Sequence, residues 1–181
     1  YFDLMLYVHM AVLLNDLFFP KSDAHTAQIL AAFAFCSISI FRPMGALIFG
    51  KIGDHFGRKS TVVITTMLMA ISCIIMANLP AYTQIGITAS CIVIICRIAQ
   101  GMSSVGEIVG AELYLTETIN PPTNYQSIAL IGTFAALGGT VALGVASLST
   151  YLLFNWRIAF WIGAAIALVG TFARITFRET P

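Results

Sequence analysis

The stretch GKIGDHFGRK, Gly50 to Lys59, combines three glycines and one carboxylate with the three cations Lys51, Arg58 and Lys59. The sequence on both sides of it is apolar and almost uncharged. Each flanking run approaches the ~20 residues that a transmembrane helix requires. The pattern predicts a short charged loop that joins two membrane-spanning helices.

The composition of the chain agrees with a membrane protein. Charged residues make up 9% of its 181 residues and hydrophobic types 59%, whereas a soluble domain is roughly 25% charged. In a bilayer only helices and closed barrels satisfy every backbone hydrogen bond. The apolar runs here are continuous rather than alternating, which favours helices. We therefore predict an all-α integral membrane protein.

Six apolar runs follow one another along the chain, joined by short polar turns. They cover Tyr1 to about Phe19, about Gln28 to Phe49, Thr61 to Leu79, a run from near Ile85, Ile128 to about Ser149, and about Phe154 to Ala173. This pattern predicts one domain, residues 1–181, with the architecture of a six-transmembrane-helix bundle. Because Tyr1 already lies within an apolar run, we expect the first helix to lack its start.

The distribution of lysine and arginine predicts the orientation in the membrane. One side of the bundle is expected to carry Lys51, Arg58, Lys59, Arg174 and Arg178, and the other side only Lys21 and Arg157. Cytoplasmic loops carry the excess of cations, so we expect both ends of the chain in the cytoplasm and a multi-pass location in the plasma (inner) membrane. The net charge of +1, without a basic patch, indicates no nucleic-acid partner.

The sequence contains no motif of an enzyme or a metal site. The four cysteines lie within apolar runs at no metal-ligand spacing, and HExxH, a nucleophile elbow and clustered His and Asp ligands are missing. We predict no catalytic residue and no metal. A membrane-embedded enzyme and a receptor-like helical protein remain two interpretations of the apolar spans, and a second block of six spans downstream would argue against both.

Two motifs resemble those of the major facilitator superfamily. The signature between the second and third helices of that family is matched by Gly50, Gly53, Asp54, Gly57, Arg58 and Lys59, although His55 stands where the signature usually has arginine. The segment RIAQG, Arg97 to Gly101, resembles the motif of the fourth helix. The resemblance covers essentially the whole chain and implies the amino-terminal half of a two-half fold, with the carboxy-terminal six helices missing.

Longer segments are similar to the metabolite:proton symporters, especially to proline/betaine transporters. These segments are FRPMGALIFGKIGDHFGRK, RIAQGMSSVGEIVGAE, NWRIAFWIG and FRETP. The resemblance implies alternating access and symport of a small organic solute with a proton, with no other cofactor. The fifth apolar run lacks the proline associated with antiporters, which favours symport, and an antiporter remains the alternative.

The charged stretch is predicted to be a cytoplasmic gate. Gly50, Gly53 and Gly57 permit a tight turn and close approach of helix ends. Asp54 suits a helix N-terminus or an arginine partner, and Arg58 can bind a carboxylate through two hydrogen bonds. Lys59 belongs to the same gate. We also place Glu107 there, since it falls at the cytoplasmic boundary and is expected to pair with Arg58 or Arg42. The alternative is a solvated loop that only fixes topology.

Arg97 is the most costly charge in the sequence. It lies roughly 18 Å from Ile85 along the helix, near the middle of the bilayer, where an ionisable side chain marks a functional site by default. Gln100 shares its face, one turn further on. We predict that Arg97 contributes to a central cavity and holds a substrate carboxylate or a coupling acid. The alternative is a structural arginine that binds carbonyl groups of a neighbouring helix.

Asp3 and Arg42 are predicted to lie at nearly the same depth, roughly 24 Å and 21 Å from the outer surface. An isolated carboxyl group there is expected to bind a proton, whereas an adjacent arginine favours the ionised form. We therefore predict that Asp3 takes up or releases the coupling proton as it leaves or meets Arg42. A permanent ion pair that holds two helices in register is the alternative.

The predicted cargo is a zwitterion such as proline or betaine, followed by a carboxylate such as citrate or 2-oxoglutarate. Tyr1, Phe2 and Tyr7 provide aromatic rings near the first helix. Such rings are suited to a quaternary ammonium group, and lipid-facing positions are the alternative. The predicted partners are thus the solute, the lipid bilayer and the missing carboxy-terminal half.

Overall fold

The computed structural model of the protein describes residues 1–20, 24–119, 121, 123–151 and 155–175. Lys21, Phe154, Arg178 and the FRETP segment lie outside the described residues. Within these ranges the chain forms helices and no strand: α1 (Phe2–Phe18), α2 (Ala24–Phe56), α3 (Arg58–Asn78), α4 (Tyr82–Ile85), α5 (Ile87–Thr118), α6 (Thr123–Tyr151) and α7 (Trp156–Ile175). The prediction of an all-α protein is confirmed.

The prediction of six spans is met only in part. Five helices, α2, α3, α5, α6 and α7, are long and apolar enough to cross a membrane. Helix α1 has 17 residues, fewer than the ~20 of a typical span. The four residues of α4 form a single turn, which Gly86 separates from α5 with a φ of 60°. The fourth span, expected from near Ile85, therefore begins at Ile87.

The charged stretch is mostly helical, which corrects the prediction of a loop. Helix α2 continues through Gly50 to Phe56, and α3 begins at Arg58. Gly57 alone joins them, with φ 89° and ψ 153°, a conformation that only glycine adopts readily. The 33 residues of α2 span about 50 Å, which exceeds the ~30 Å hydrocarbon core. Its charged last turns therefore extend into water without ending the helix.

Helix α5 is central to the packing, since α2 and α3 both contact it extensively. The backbones of α2 and α5 touch at two glycines. A Cβ atom on Gly101 would lie 2.7 Å from Ile38 Cα, and one on Gly45 would lie 2.6 Å from Met102 Cα. Helix α3 also packs along α7, and α1 packs against α6.

Candidate functional site

Arg97 lies in the interior of the bundle with no exposed surface. Its Nη1 donates a hydrogen bond to Gln100 Oε1 over 2.9 Å, and its Cζ lies 3.8 Å from the ring centroid of Tyr7 on α1. Gln100 Nε2 in turn donates to Cys73 Sγ of α3 over 3.7 Å. The shared face of Arg97 and Gln100 is confirmed. Together they connect α5 to α1 and α3.

The guanidinium of Arg97 keeps unused hydrogen-bonding capacity. Within the described ranges no acceptor reaches its Nε or Nη2. Burial of a charged group without hydrogen bonds is costly, so the stacking on Tyr7 and the bond to Gln100 satisfy it only in part. A buried arginine of this kind can bind an additional anionic group.

Asp3 is a second buried charge, with only 6% of its surface exposed. Its Oδ1 has no hydrogen-bond partner among the residues that the structure describes. This oxygen packs against Gly163 of α7. Since unpaired ionisable groups at membrane depth are rare and costly, they point to a site of proton or ligand exchange.

A cavity of about 450 Å³ lies between α1, α3, α5, α6 and α7, within the usual range of about 300–1,000 Å³ for small-ligand pockets. Its polar lining consists of Asp3, Thr66, Ser104, Glu107, Ser127 and Arg174, and its aromatic lining of Tyr1, Phe2 and Phe134. Arg97 and Gln100 are not among the residues that line this cavity, and the contribution of Arg97 to a central transport cavity stays a prediction. Tyr7 and Cys73 cover the arginine because α5 turns its side chain toward α1 and α3.

Glu107 forms an ion pair across the cavity wall with Arg174 of α7, with Oε1 and Nη1 2.6 Å apart. The same Nη1 also hydrogen-bonds Thr66 Oγ1 of α3. The expected partners Arg58 and Arg42 are therefore wrong for Glu107. Helix α5 continues to Thr118, which places Glu107 about 15 Å deeper than Glu117 along the helix, too deep to reach the α2–α3 junction.

The α2–α3 junction contains a separate group of charges. Arg58 Nη1 lies 3.0 Å from Asp54 Oδ1, and Arg58 Nε lies 3.5 Å from Glu117 Oε1 at the end of α5. The contact of Asp54 with Arg58 is confirmed, and Lys59 follows on the first turn of α3. Because 64% of the Asp54 side chain is exposed, this pair on its own contributes little to stability. Its effect is to connect three helix ends.

The three glycines of the predicted gate differ in their surroundings. A Cβ atom on Gly53 would lie 2.9 Å from Arg58 Nη1, so this glycine leaves room for the ion pair. Gly57 supplies the positive φ at the junction. Among the described residues no atom would lie within 4 Å of a Cβ on Gly50, so the close approach expected there is wrong for this part of the chain.

Asp3 and Arg42 do not form the predicted ion pair. No contact within 4.0 Å joins these two described side chains, and Arg42 Nε is buried without a partner among the residues described. Helices α1 and α2 do meet at this depth, since Leu4 packs against Ile38. Successive residues on a helix point about 100° apart, so Leu4 faces α2 while Asp3 faces α7.

Four residues that complete these groups are not indicated by the sequence. Arg174 was counted only as a topology signal, Glu117 was not assigned to the gate, and neither Cys73 nor Gly163 was connected with a polar partner. Each meets its partner from a different helix, and no spacing in the sequence reports such a contact. An arginine within the last turn of an apolar run was the one available signal, at Arg174.

Comparisons with known proteins match the whole chain. A family model described as "Sugar (and other) transporter" matches residues 2–181. The chain is 35% identical to the inner membrane metabolite transport protein YhjE of Escherichia coli (strain K12), over all of this chain and 43% of that protein. It is 32% identical to the proline/betaine transporter of the same strain, over all of this chain and 38% of that protein.

A third relative is named for a broader range of substrates. The chain is 31% identical to the glycine betaine/proline/ectoine/pipecolic acid transporter OusA of Dickeya dadantii (strain 3937), again over all of this chain and 38% of the relative. The chain thus spans about two fifths of the length of these curated relatives and corresponds to their amino-terminal part. No solved structure matches it.

Proposed function

Because the chain belongs to the sugar (and other) transporter family of the major facilitator superfamily, we propose that it forms the amino-terminal half of a secondary active transporter. Its long apolar helices and its family make it a multi-pass membrane protein. The proposed transporter moves a small organic solute inward by alternating access, in symport with a proton. Its proposed location is the plasma membrane, with both ends of this segment in the cytoplasm.

The observation that carries the proposal is the 450 Å³ cavity with a buried, unpartnered carboxylate oxygen of Asp3 in its wall. A buried carboxylate oxygen of this kind is suited to bind the cationic group of a solute or a proton. Arg174 in the same wall provides the opposite charge. A zwitterion such as proline or betaine offers its cationic group to Asp3 and its carboxylate to Arg174. The names of two relatives support this class of solute.

A second candidate cargo is an organic acid such as 2-oxoglutarate. The free Nε and Nη2 donors of Arg97 favour it, because a guanidinium binds a carboxylate through two parallel hydrogen bonds. For Arg97 to serve the solute directly, Tyr7 would have to move aside during the transport cycle. The two cargo classes therefore differ in which buried charge they require.

Asp3 is the proposed proton-coupling residue. Its carboxyl group is buried, borders the cavity and has an oxygen that no described residue hydrogen-bonds. The proposed cytoplasmic gate consists of Gly53, Asp54, Gly57, Arg58 and Lys59, to which the structure adds Glu117. Glu107 and Arg174 form a separate, deeper pair.

The direct test measures uptake of labelled proline, betaine and 2-oxoglutarate by vesicles that carry the full-length protein, with and without a proton gradient. We expect a zwitterion to accumulate only when the gradient is present. No uptake of any solute at normal protein abundance would contradict the transporter proposal. Uptake driven by an opposing solute, without need of the proton gradient, would indicate an antiporter instead.

Asp3→Asn tests the coupling role in the same vesicles. We expect gradient-driven accumulation to fall at least about tenfold while downhill exchange continues, because the amide cannot carry a proton. Glu112→Gln is the matched control, since it removes a carboxylate from α5 outside the cavity. Wild-type accumulation by Asp3→Asn would exclude Asp3 as the coupling residue and leave Glu107 as the next candidate.

A further inference from the structure

Gly163 of α7 and Asp3 of α1 are in direct contact. A Cβ atom built on Gly163 would lie 2.5 Å from Asp3 Oδ1 and 3.6 Å from Phe2 Cε1. Ordinary van der Waals contact begins at 3.4 Å, so the carboxylate occupies space that any other residue at position 163 would fill. Gly163 itself is buried.

This contact matters because Oδ1 has no hydrogen-bond donor among the residues that the structure describes. The Cys73 thiol of α3 interacts with the same carboxyl group but leaves this oxygen without a partner. The space beside Gly163, which has no Cβ atom, therefore limits where Oδ1 can lie.

Helix α7 is held in place near Gly163 by contacts with α1 and α3. Phe160, one turn before Gly163, is fully buried, and Trp156 stacks edge-on against Phe18 of α1 with ring centroids 5.3 Å apart. Arg157 Nη2 donates a hydrogen bond to Leu79 O at the end of α3, over 3.3 Å. A side chain added at position 163 would consequently displace Asp3, by about 1 Å, more easily than it would displace α7.

We propose that Gly163 is a positioning residue that holds the Asp3 carboxylate at the cavity wall. The inference rests on the proposed role of Asp3 in transport and assigns part of that role to α7. Gly163 does not bind the solute or the proton. It makes the depth and direction of the carboxylate depend on where α7 lies.

The test uses the full-length transporter in vesicles, with Gly163→Ala made in the wild-type and in the Asp3→Ala background. We expect Gly163→Ala to reduce gradient-driven accumulation of labelled proline by about tenfold to a hundredfold, since displacement by 1 Å at a reacting group has effects of that size. We also expect it to shift the pH profile of uptake. Downhill exchange in the Asp3→Ala background should not change, because the carboxylate that the new methyl would meet is absent.

Gly139→Ala on α6 is the matched control. Its Cβ would also face α1, but would meet only Met5 Cγ at an ordinary 3.5 Å, so wild-type uptake and pH profile are expected. Protein abundance and the thermal unfolding midpoint of each purified variant accompany the measurements. If Gly163→Ala lowers protein abundance so far that transport cannot be measured, the thermal unfolding midpoints provide the test. Gly163→Ala should then lower the midpoint less in the Asp3→Ala background than in the wild type.

Three results would overturn the inference, and they identify what has failed. If Asp3→Asn accumulates proline normally, the proposed role of Asp3 fails and the positioning role fails with it. If Asp3→Asn loses accumulation but Gly163→Ala keeps it with an unchanged pH profile, only the positioning role fails. If Gly163→Ala reduces downhill exchange equally in the wild-type and the Asp3→Ala backgrounds, Gly163 serves general helix packing.

Discussion

Arg97 is held by contacts with α1 and within α5 but keeps part of its hydrogen-bonding capacity unused. The planar guanidinium stacks on Tyr7, bonds Gln100 and still has two nitrogens without an acceptor among the described residues. A cation over an aromatic ring contributes up to about 2 kcal/mol when both are desolvated. That contribution offsets part of the cost of burying the charge, so the contact with Tyr7 orients the guanidinium while two of its nitrogens have no acceptor among the described residues.

Arg97→Lys is expected to impair transport in the full-length protein, because the ammonium group keeps the charge but loses the planar face and the paired donors. The measurement is the concentration dependence of initial uptake, together with the amount of folded protein. Tyr7→Phe is the control, since it keeps the ring under the guanidinium. Wild-type affinity in Arg97→Lys would contradict a bidentate contact, and loss of folded protein in both Arg97→Lys and Arg97→Ala would support a structural arginine.

The junction of α2 and α3 depends on the backbone conformation of a single residue, Gly57. One residue, Gly57, reverses the chain direction between two long helices, and the Arg58 side chain beside it reaches both Asp54 and the end of α5. The ion pairs are exposed and individually weak. The backbone conformation of Gly57 therefore contributes more to the geometry of the α2–α3 junction than these ion pairs do.

Gly57→Ala is expected to destabilise the junction by about 1–3 kcal/mol, because its φ and ψ lie in a region almost restricted to glycine. Gly50→Ala is the matched control in the same segment. Nothing lies within 4 Å of its Cβ, and alanine is a better helix former. The thermal midpoint of the purified full-length protein should fall for Gly57→Ala and stay the same or rise for Gly50→Ala. Equal midpoints would contradict the assigned role of Gly57.

In the whole protein, the buried and ion-paired groups lie at four successive levels along the axis of the bundle. Arg97 and Tyr7 lie deepest, Asp3 is one turn from Tyr7 on α1, Glu107 and Arg174 come next, and Arg58 with its two carboxylates lies at the α2–α3 junction. The cavity lies between the second and third of these levels. If the junction is cytoplasmic, the cavity is closer to the cytoplasm than to the outside.

Labelling with a membrane-impermeant maleimide tests this orientation in the full-length protein after its own cysteines are replaced. Lys51→Cys should react only in inverted vesicles, and Gln84→Cys on α4 only in intact cells, because the positive-inside rule places the α2–α3 junction in the cytoplasm. Ile95→Cys, about two turns into α5, is the unreactive control. Labelling of Lys51→Cys in intact cells would reverse the proposed topology.

The amino-acid sequence was sufficient for several features that depend on spacing along one helix. Continuous apolar runs predicted an all-helical membrane protein, and a separation of three residues predicted that Arg97 shares a face with Gln100. This shared face follows from the 3.6-residue period of the helix. Motif order also predicted the family, because it does not depend on how the helices pack.

The contacts between helices required the three-dimensional structure. Glu107 meets Arg174, 67 residues away, Asp3 faces Gly163 instead of Arg42, and Arg58 reaches Glu117. Counting residues gives depth, which placed α1 and α2 at the same level, but it does not give the rotation of a helix about its axis. Rotation is fixed where backbones touch, as at Gly101 and Ile38, because there only one orientation allows the close approach.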